Sequence, residues 1–242
     1  MSHKKLANRL LLLLVMEVLF EFCMVNFSRY IHENNSVLFL FLDKSLFFCL
    51  LILLNNWLTK RKMPISLKLN KDQRKSILVV AGILIIMGLM NIKNFWNAIA
   101  IGLMAGITEE YLFRGVVLLT LFELFDHFKK QNGRILLPMI ISSILFGSEH
   151  FLNLYSQSFS ATIIQVLQTT AMGFVFASIF VRTNNLLFPM LCHFGLDYLV
   201  TIVWGMQNGN NASFGSAIVV SIFYLIVGYV ILMPVLTNNN SF

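Results

Sequence analysis

Residues 97–125 read NAIAIGLMAGITEEYLFRGVVLLTLFELF, a run long enough to cross a bilayer but interrupted by Thr108, Glu109, Glu110 and Arg114. A hydrocarbon core requires about 20 mostly apolar residues per helix. An ionised side chain at its centre costs at least ~2.5–3.5 kcal/mol on insertion scales. The stretch is therefore either a membrane helix that carries a built polar site or no membrane helix at all, and the flanking sequence decides between the two.

The flanks are strongly apolar. Of 242 residues 57% are hydrophobic and 12% charged, with mean hydropathy +0.77, against about 45–50% and about 25% in an ordinary soluble domain. That excess is too large for a water-soluble core. Spans are predicted near 9–27, 37–58, 76–92, 97–125, 135–153, 160–181, 186–204 and 214–236, each of bilayer length. The fold class is all-α, a polytopic membrane protein of about eight transmembrane helices, or seven if the short third span or the interrupted fourth is discounted. Residues 1–242 read as a single integral membrane domain, and the polar Asn-rich tail from Thr237 to Phe242 is expected to be disordered.

The net charge of +7 does not indicate nucleic acid as a partner, because the basic residues gather in short loops rather than along one face. One side would hold His3, Lys4, Lys5 and Arg9, the segment from Lys60 to Lys75, then Lys129, Lys130, Arg134 and Arg182; the other holds only Arg29, Lys44 and Lys93. Basic residues favour the cytoplasmic ends of spans, so eight spans with both termini in the cytoplasm of a cell membrane, most naturally a bacterial plasma membrane, fit this asymmetry. The segment Lys60–Lys75 reads as a basic loop beside lipid headgroups, with room for a short surface helix. Glu17, Glu21, Phe22 and Cys23 stand where a signal peptide would carry small residues, so an uncleaved first helix is expected. Cys23, Cys49 and Cys192 have no CxxC spacing and read as small buried hydrophobes.

Four groups of ionisable residues fall within spans. Glu110 and Arg114 are four apart and stack on one helix face as an ion pair. Glu109 points about 100° away, without a cation at that spacing, and so suits proton transfer. His150 ends the stretch Phe146-Gly147-Ser148-Glu149-His150, in which Gly147 and Ser148 admit a neighbouring helix. On a helix Glu149 points away from His150, toward a rim. His193 and Asp197, again four apart, face the same way, a pairing that orients an imidazole, holds a metal or stabilises a transition-state charge. Glu17 and Glu21 share a face of the first span with no cation within a turn, and line a water-filled cavity or snorkel outward.

Three of these groups in order, EExxxR at Glu109, Glu110 and Arg114, FxxxH at Phe146 and His150, and HxxxD at His193 and Asp197, resemble the motifs of the CAAX protease and bacteriocin-processing (CPBP, or Abi) family of intramembrane endopeptidases. The resemblance spans about residues 98–205, the motif-bearing core. It implies hydrolysis of a peptide bond in a membrane-anchored peptide or protein. Glu109 would be the general base on water, helped by His150, with His193 and Asp197 stabilising the oxyanion and Glu110 and Arg114 in support. Position 197 is Asp, where the eukaryotic Ras-converting relatives typically carry Asn, and an ionised Asp accepts but does not donate. No cofactor is favoured on this route. A zinc route would use His150, His193 and Glu109 as ligands, although the chain lacks HExxH. Two further readings stand beside hydrolysis: a bacteriocin self-immunity protein, proteolytic or not, and a transporter or proton relay. The last would call for broken helices in two repeated halves, and no repeat is visible.

Overall fold

A computed structural model of the chain describes residues 2–31, 37–128, 130–205 and 213–237; the tail beyond Thr237 lies outside them. The described residues form helices α1 (His3–Tyr30), α2 (Val37–Leu54), α3 (Lys71–Met90), α4 (Ile92–Glu110), α5 (Leu119–Leu124), α6 (Gln131–Glu149), α7 (Phe159–Thr183), α8 (Leu187–Trp204) and α9 (Phe214–Thr237). Wider π-helical turns extend α2 over Asn55–Thr59 and join α4 to α5 over Tyr111–Leu118, and a tighter 3₁₀ turn continues α6 over His150–Tyr155. Counting α4, its π segment and α5 as one rod, the protein is a bundle of eight rods without a strand among the described residues. Seven of these are long and apolar enough to cross a membrane by length and composition. The exception is the rod interrupted by Glu109, Glu110 and Arg114.

The packing inverts that of a soluble protein. Large apolar side chains such as Leu19, Leu78, Ile86, Phe223 and Val230 face outward, while Glu17, Asp43, Asn55, Glu110, Arg114 and His193 are buried. Lipid is as apolar as leucine, so nothing drives leucine inward, and polar groups gather inside where they find one another. The same reasoning corrects the expectation for the cysteines: Cys23, Cys49 and Cys192 are free and exposed rather than buried.

Three details of sequence set the helix positions. Asn70 and Gln73 form a reciprocal capping box, so α3 starts at Lys71, five residues before the hydropathy signal. Residues 60–70 form no surface helix. They are an extended strap tied down where the Asn185 amide accepts from Ser66 N–H at 3.1 Å and donates to Ser66 C=O at 2.8 Å. Met63 of the strap packs between two core clusters, one around Phe113 and one around Phe180. Finally, α4 lies along α8, close enough that a Cβ on Gly102 would sit 2.8 Å from Phe194 O and one on Gly106 would sit 2.9 Å from Met190 O. This small-xxx-small face is the membrane route to close helix approach. It brings the end of α4 against the middle of α8.

Candidate active site

That approach decides the geometry. Glu109 and Glu110 end α4, one turn beyond Gly106, and His193 is one turn beyond Pro189 on α8. His193 Nδ1 donates to Glu110 Oε1 at 2.9 Å, and the same oxygen accepts from Arg114 Nη1 at 3.0 Å. The other ring nitrogen, Nε2, lies 3.8 Å from Glu109 Oε2 and 3.5 Å from Asp197 Oδ2. Carboxylates thus face both edges of the imidazole. The expected pairs Glu110–Arg114 and His193–Asp197 are both present, and His193 joins them.

The cation that holds Glu110 is itself enclosed. Arg114 has no exposed surface; its Nη2 donates to Gly173 C=O on α7 at 2.9 Å, and its guanidinium lies over the rings of Phe146 at 4.5 Å and Phe176 at 5.3 Å. A desolvated cation–π contact of this kind is worth about 2 kcal/mol. Phe176 also stacks on His193, centroids 4.7 Å apart and planes 23° off parallel, and Phe146 presents its ring edge-on to both His193 and His150. The phenylalanine of FxxxH is therefore a wall shared by the arginine and both histidines.

Arg114 lies within the π segment 111–118, every residue of which is buried. A π turn is uncommon and recurs at functional sites. Here it follows directly on the paired glutamates, so the helix carrying Glu109 changes its winding at the site.

His150 stands where α6 tightens into the 3₁₀ turn. Its Nδ1 is 3.3 Å from Phe146 C=O, an acceptor only, so Nδ1 carries the hydrogen and Nε2 keeps a free lone pair. The Phe146 ring stands between the two histidines, 5.6 Å from His150 and 5.8 Å from His193 between centroids. Gly147 holds this end of α6 against α7, where a Cβ would collide with Thr170 and lie 2.9 Å from Val166 O. This is the close approach expected from Gly147.

Exposure separates the two adjacent glutamates. The Glu109 side chain is 20% exposed and Asp197 26%, whereas Glu110 and Arg114 are at 0%. The first pair keeps accessible surface and the second has none.

Over residues 91–199 the chain matches the family model described as Type II CAAX prenyl endopeptidase Rce1-like. The motif-bearing part of the chain is thus similar to the CAAX protease family. Neither a curated protein nor a solved structure matches the chain. The CAAX protease match runs from the residue before α4 into α8 and so includes Glu109, Glu110, Arg114, His150, His193 and Asp197, while α1, α2, α3 and α9 lie outside it.

Two contacts extend or correct the sequence reading. Glu110 is not only the partner of Arg114 but touches His193 directly. Lys44, assigned above to a loop, is a partly buried residue of α2 whose Nζ donates to Glu21 Oε1 at 2.7 Å, and its charge acts on Glu109. Lys44 lies seven residues inside its apolar run beside Asp43, which is the signal that marked the other intramembrane charges. Phe176, one of 23 phenylalanines, carries no such signal. The ligand atoms proposed for zinc, on Glu109, His150 and His193, do not converge; among the described residues the group whose ligand atoms all lie within 4.8 Å of one another is His3, Asp126 and His127, exposed and in another part of the fold.

Proposed function

We propose that this protein is an intramembrane endopeptidase that hydrolyses a peptide bond of a membrane-associated peptide with a water activated by Glu109. The reading rests on one observation above all: of the two glutamates beside His193, Glu109 keeps accessible surface and Glu110 is sealed against Arg114. A general base must reach the water it deprotonates, and a carboxylate locked into a buried ion pair does not. Glu110 and Arg114 hold His193 and the end of α4 in place. His150, with its free Nε2 lone pair, shares the proton with Glu109 and returns it to the leaving amine. His193 donates through Nε2 to the oxyanion as the tetrahedral intermediate forms, oriented by Glu110 on one side and Asp197 on the other. The chemistry lies within residues 98–205 of one membrane domain, and the basic segments about residues 60–75 and 130–134 face the cytoplasm.

The test is cleavage of membrane-anchored peptides by the purified protein in liposomes, wild type against Glu109→Gln. Loss of cleavage in the variant supports the base; equal cleavage by both refutes it. Activity that survives exhaustive chelation separates this route from a zinc-dependent one, which chelation would silence.

A further inference from the structure

A cavity of about 330 Å³ opens between α1 and the end of α6 with its 3₁₀ turn, the volume of roughly ten waters. Its walls are mostly apolar, among them Leu14, Val18, Phe113, Leu145 and Leu152, and Glu17 and Glu149 are its acidic lining residues. Glu17 is only 1% exposed, and its Oε1 is buried and receives no hydrogen bond. The two carboxyl groups line the same cavity and act electrostatically on each other.

Among the described residues, no basic side chain lines the cavity. Lys44, whose charge acts on Glu17, is held by Glu21. Arg29 is twelve residues further along α1, about 18 Å away, where it donates to Tyr155 C=O and covers the Tyr155 ring. The Ser148 hydroxyl donates within its own helix to Leu145 C=O. Two carboxyl groups thus meet in a mostly apolar enclosure that has no cation among its described lining residues, a setting in which a cationic partner would favour their ionised forms.

The partner this site fits has an aliphatic stem to lie on leucine and valine and a cationic head for two carboxylates, which describes a lysine or arginine side chain. Glu149 immediately precedes His150 and Phe113 immediately precedes Arg114, so two lining residues are chain neighbours of the proposed site. We propose that this cavity is a specificity pocket that binds a cationic side chain of the peptide substrate near the scissile bond, through Glu17 and Glu149. Its role in specificity rests on the peptidase reading; its affinity for an alkyl cation does not.

The experiment therefore has two arms. In the first, pentylguanidinium and its neutral isostere pentylurea are titrated by calorimetry onto the protein in phosphatidylcholine nanodiscs, with empty nanodiscs subtracted. Saturable binding of the cation at least tenfold tighter than that of the urea is expected, with the preference erased in Glu17→Gln and in Glu149→Gln. Equal binding of the two probes by the wild type, which needs no variant to fold, overturns the proposal. So does a preference intact in both variants. A weak affinity of both probes alike, as for a lipid-filled cavity or a shared proton, overturns it equally. In the second arm, anchored peptides carry arginine or norleucine at successive positions. An arginine at one position should raise kcat/KM at least tenfold, and Glu17→Gln should remove the difference. Guanidinium binding without cleavage of any peptide would sink the peptidase reading and leave the site. Cleavage without any preference for arginine would sink the pocket's role and leave the peptidase.

Discussion

Glu109 and Glu110 follow one another in the chain and have almost nothing else in common. Glu110 is fully enclosed, accepts from Arg114 and His193 at once, and is roofed by Phe146 and Phe176 through the arginine. Glu109 is a fifth exposed and faces His193 Nε2 at 3.8 Å, beyond a full hydrogen bond. A helix turns neighbours about 100° apart, so one residue faces the bundle and the other the space between α4, α6 and α8. The same side chain is a sealed ion-pair partner on one bearing and keeps accessible surface on the other.

If that contrast is sound, the largest effect belongs to the open residue. Glu109→Gln should lower the cleavage rate by about 10³-fold, within the range of a lost general base, while thermal unfolding in detergent stays close to that of the wild type. A variant that unfolds early would show Glu109 to be structural as well and would break the contrast.

The sealed residue should respond in stability. Arg114→Met leaves Glu110 buried without its cation, at a cost of about 3–5 kcal/mol, read as a fall in the unfolding midpoint. Adding Glu110→Leu should recover part of the loss, because the uncompensated charge is then removed with its partner. A double variant no more stable than Arg114→Met would mean that the phenylalanine and Gly173 contacts, not the charge pairing, carry the arginine's contribution.

A smaller effect is expected from position rather than charge. Gly106→Val places a side chain against the α8 backbone, where even a Cβ lies 2.9 Å from Met190 O and 3.0 Å from Phe194 N. The end of α4 must shift from His193, and a displacement of about 1 Å can cost roughly 10²-fold in rate. Retained cleavage would show that α8 moves with α4.

The smallest effect should come at Asp197, a quarter exposed and 3.5 Å from His193. Asp197→Asn keeps a group that can orient the ring and adds a donor, so kcat should change by less than about tenfold. A loss as large as that of Glu109→Gln would make Asp197, not Glu109, the base.

Much of this was legible in the residues because a membrane makes charge conspicuous. Glu109, Glu110, Arg114, His193 and Asp197 stood out against apolar runs, and the i to i+4 pairs followed from helical geometry alone. Most rods also began and ended near their hydropathy limits, but α1 starts six residues early at His3, α4 five residues early at Ile92, and the Asn70 capping box starts α3 five residues early. Lys44 was legible on the same rule but was assigned to the nearer loop, and burial in α2 beside Glu21 corrects it. Glu149 was expected on a rim; it is half-buried and meets Glu17 of α1 across a cavity.

What the sequence alone determined is whatever depends on the chain's own axis: an all-α membrane protein, its spans, and the pairs Glu110–Arg114 and His193–Asp197. Those follow from a transfer cost paid residue by residue and from a fixed helical pitch. Only the tertiary structure decided that His193 bridges Glu110 to Glu109 and Asp197, that Phe176 stacks on it, and that Glu17 faces Glu149. These contacts join residues far apart in sequence across helices whose approach is set by Gly102, Gly106 and Gly147. In lipid no hydrophobic gradient orients one helix against another, so packing and polar contacts between rods make that choice.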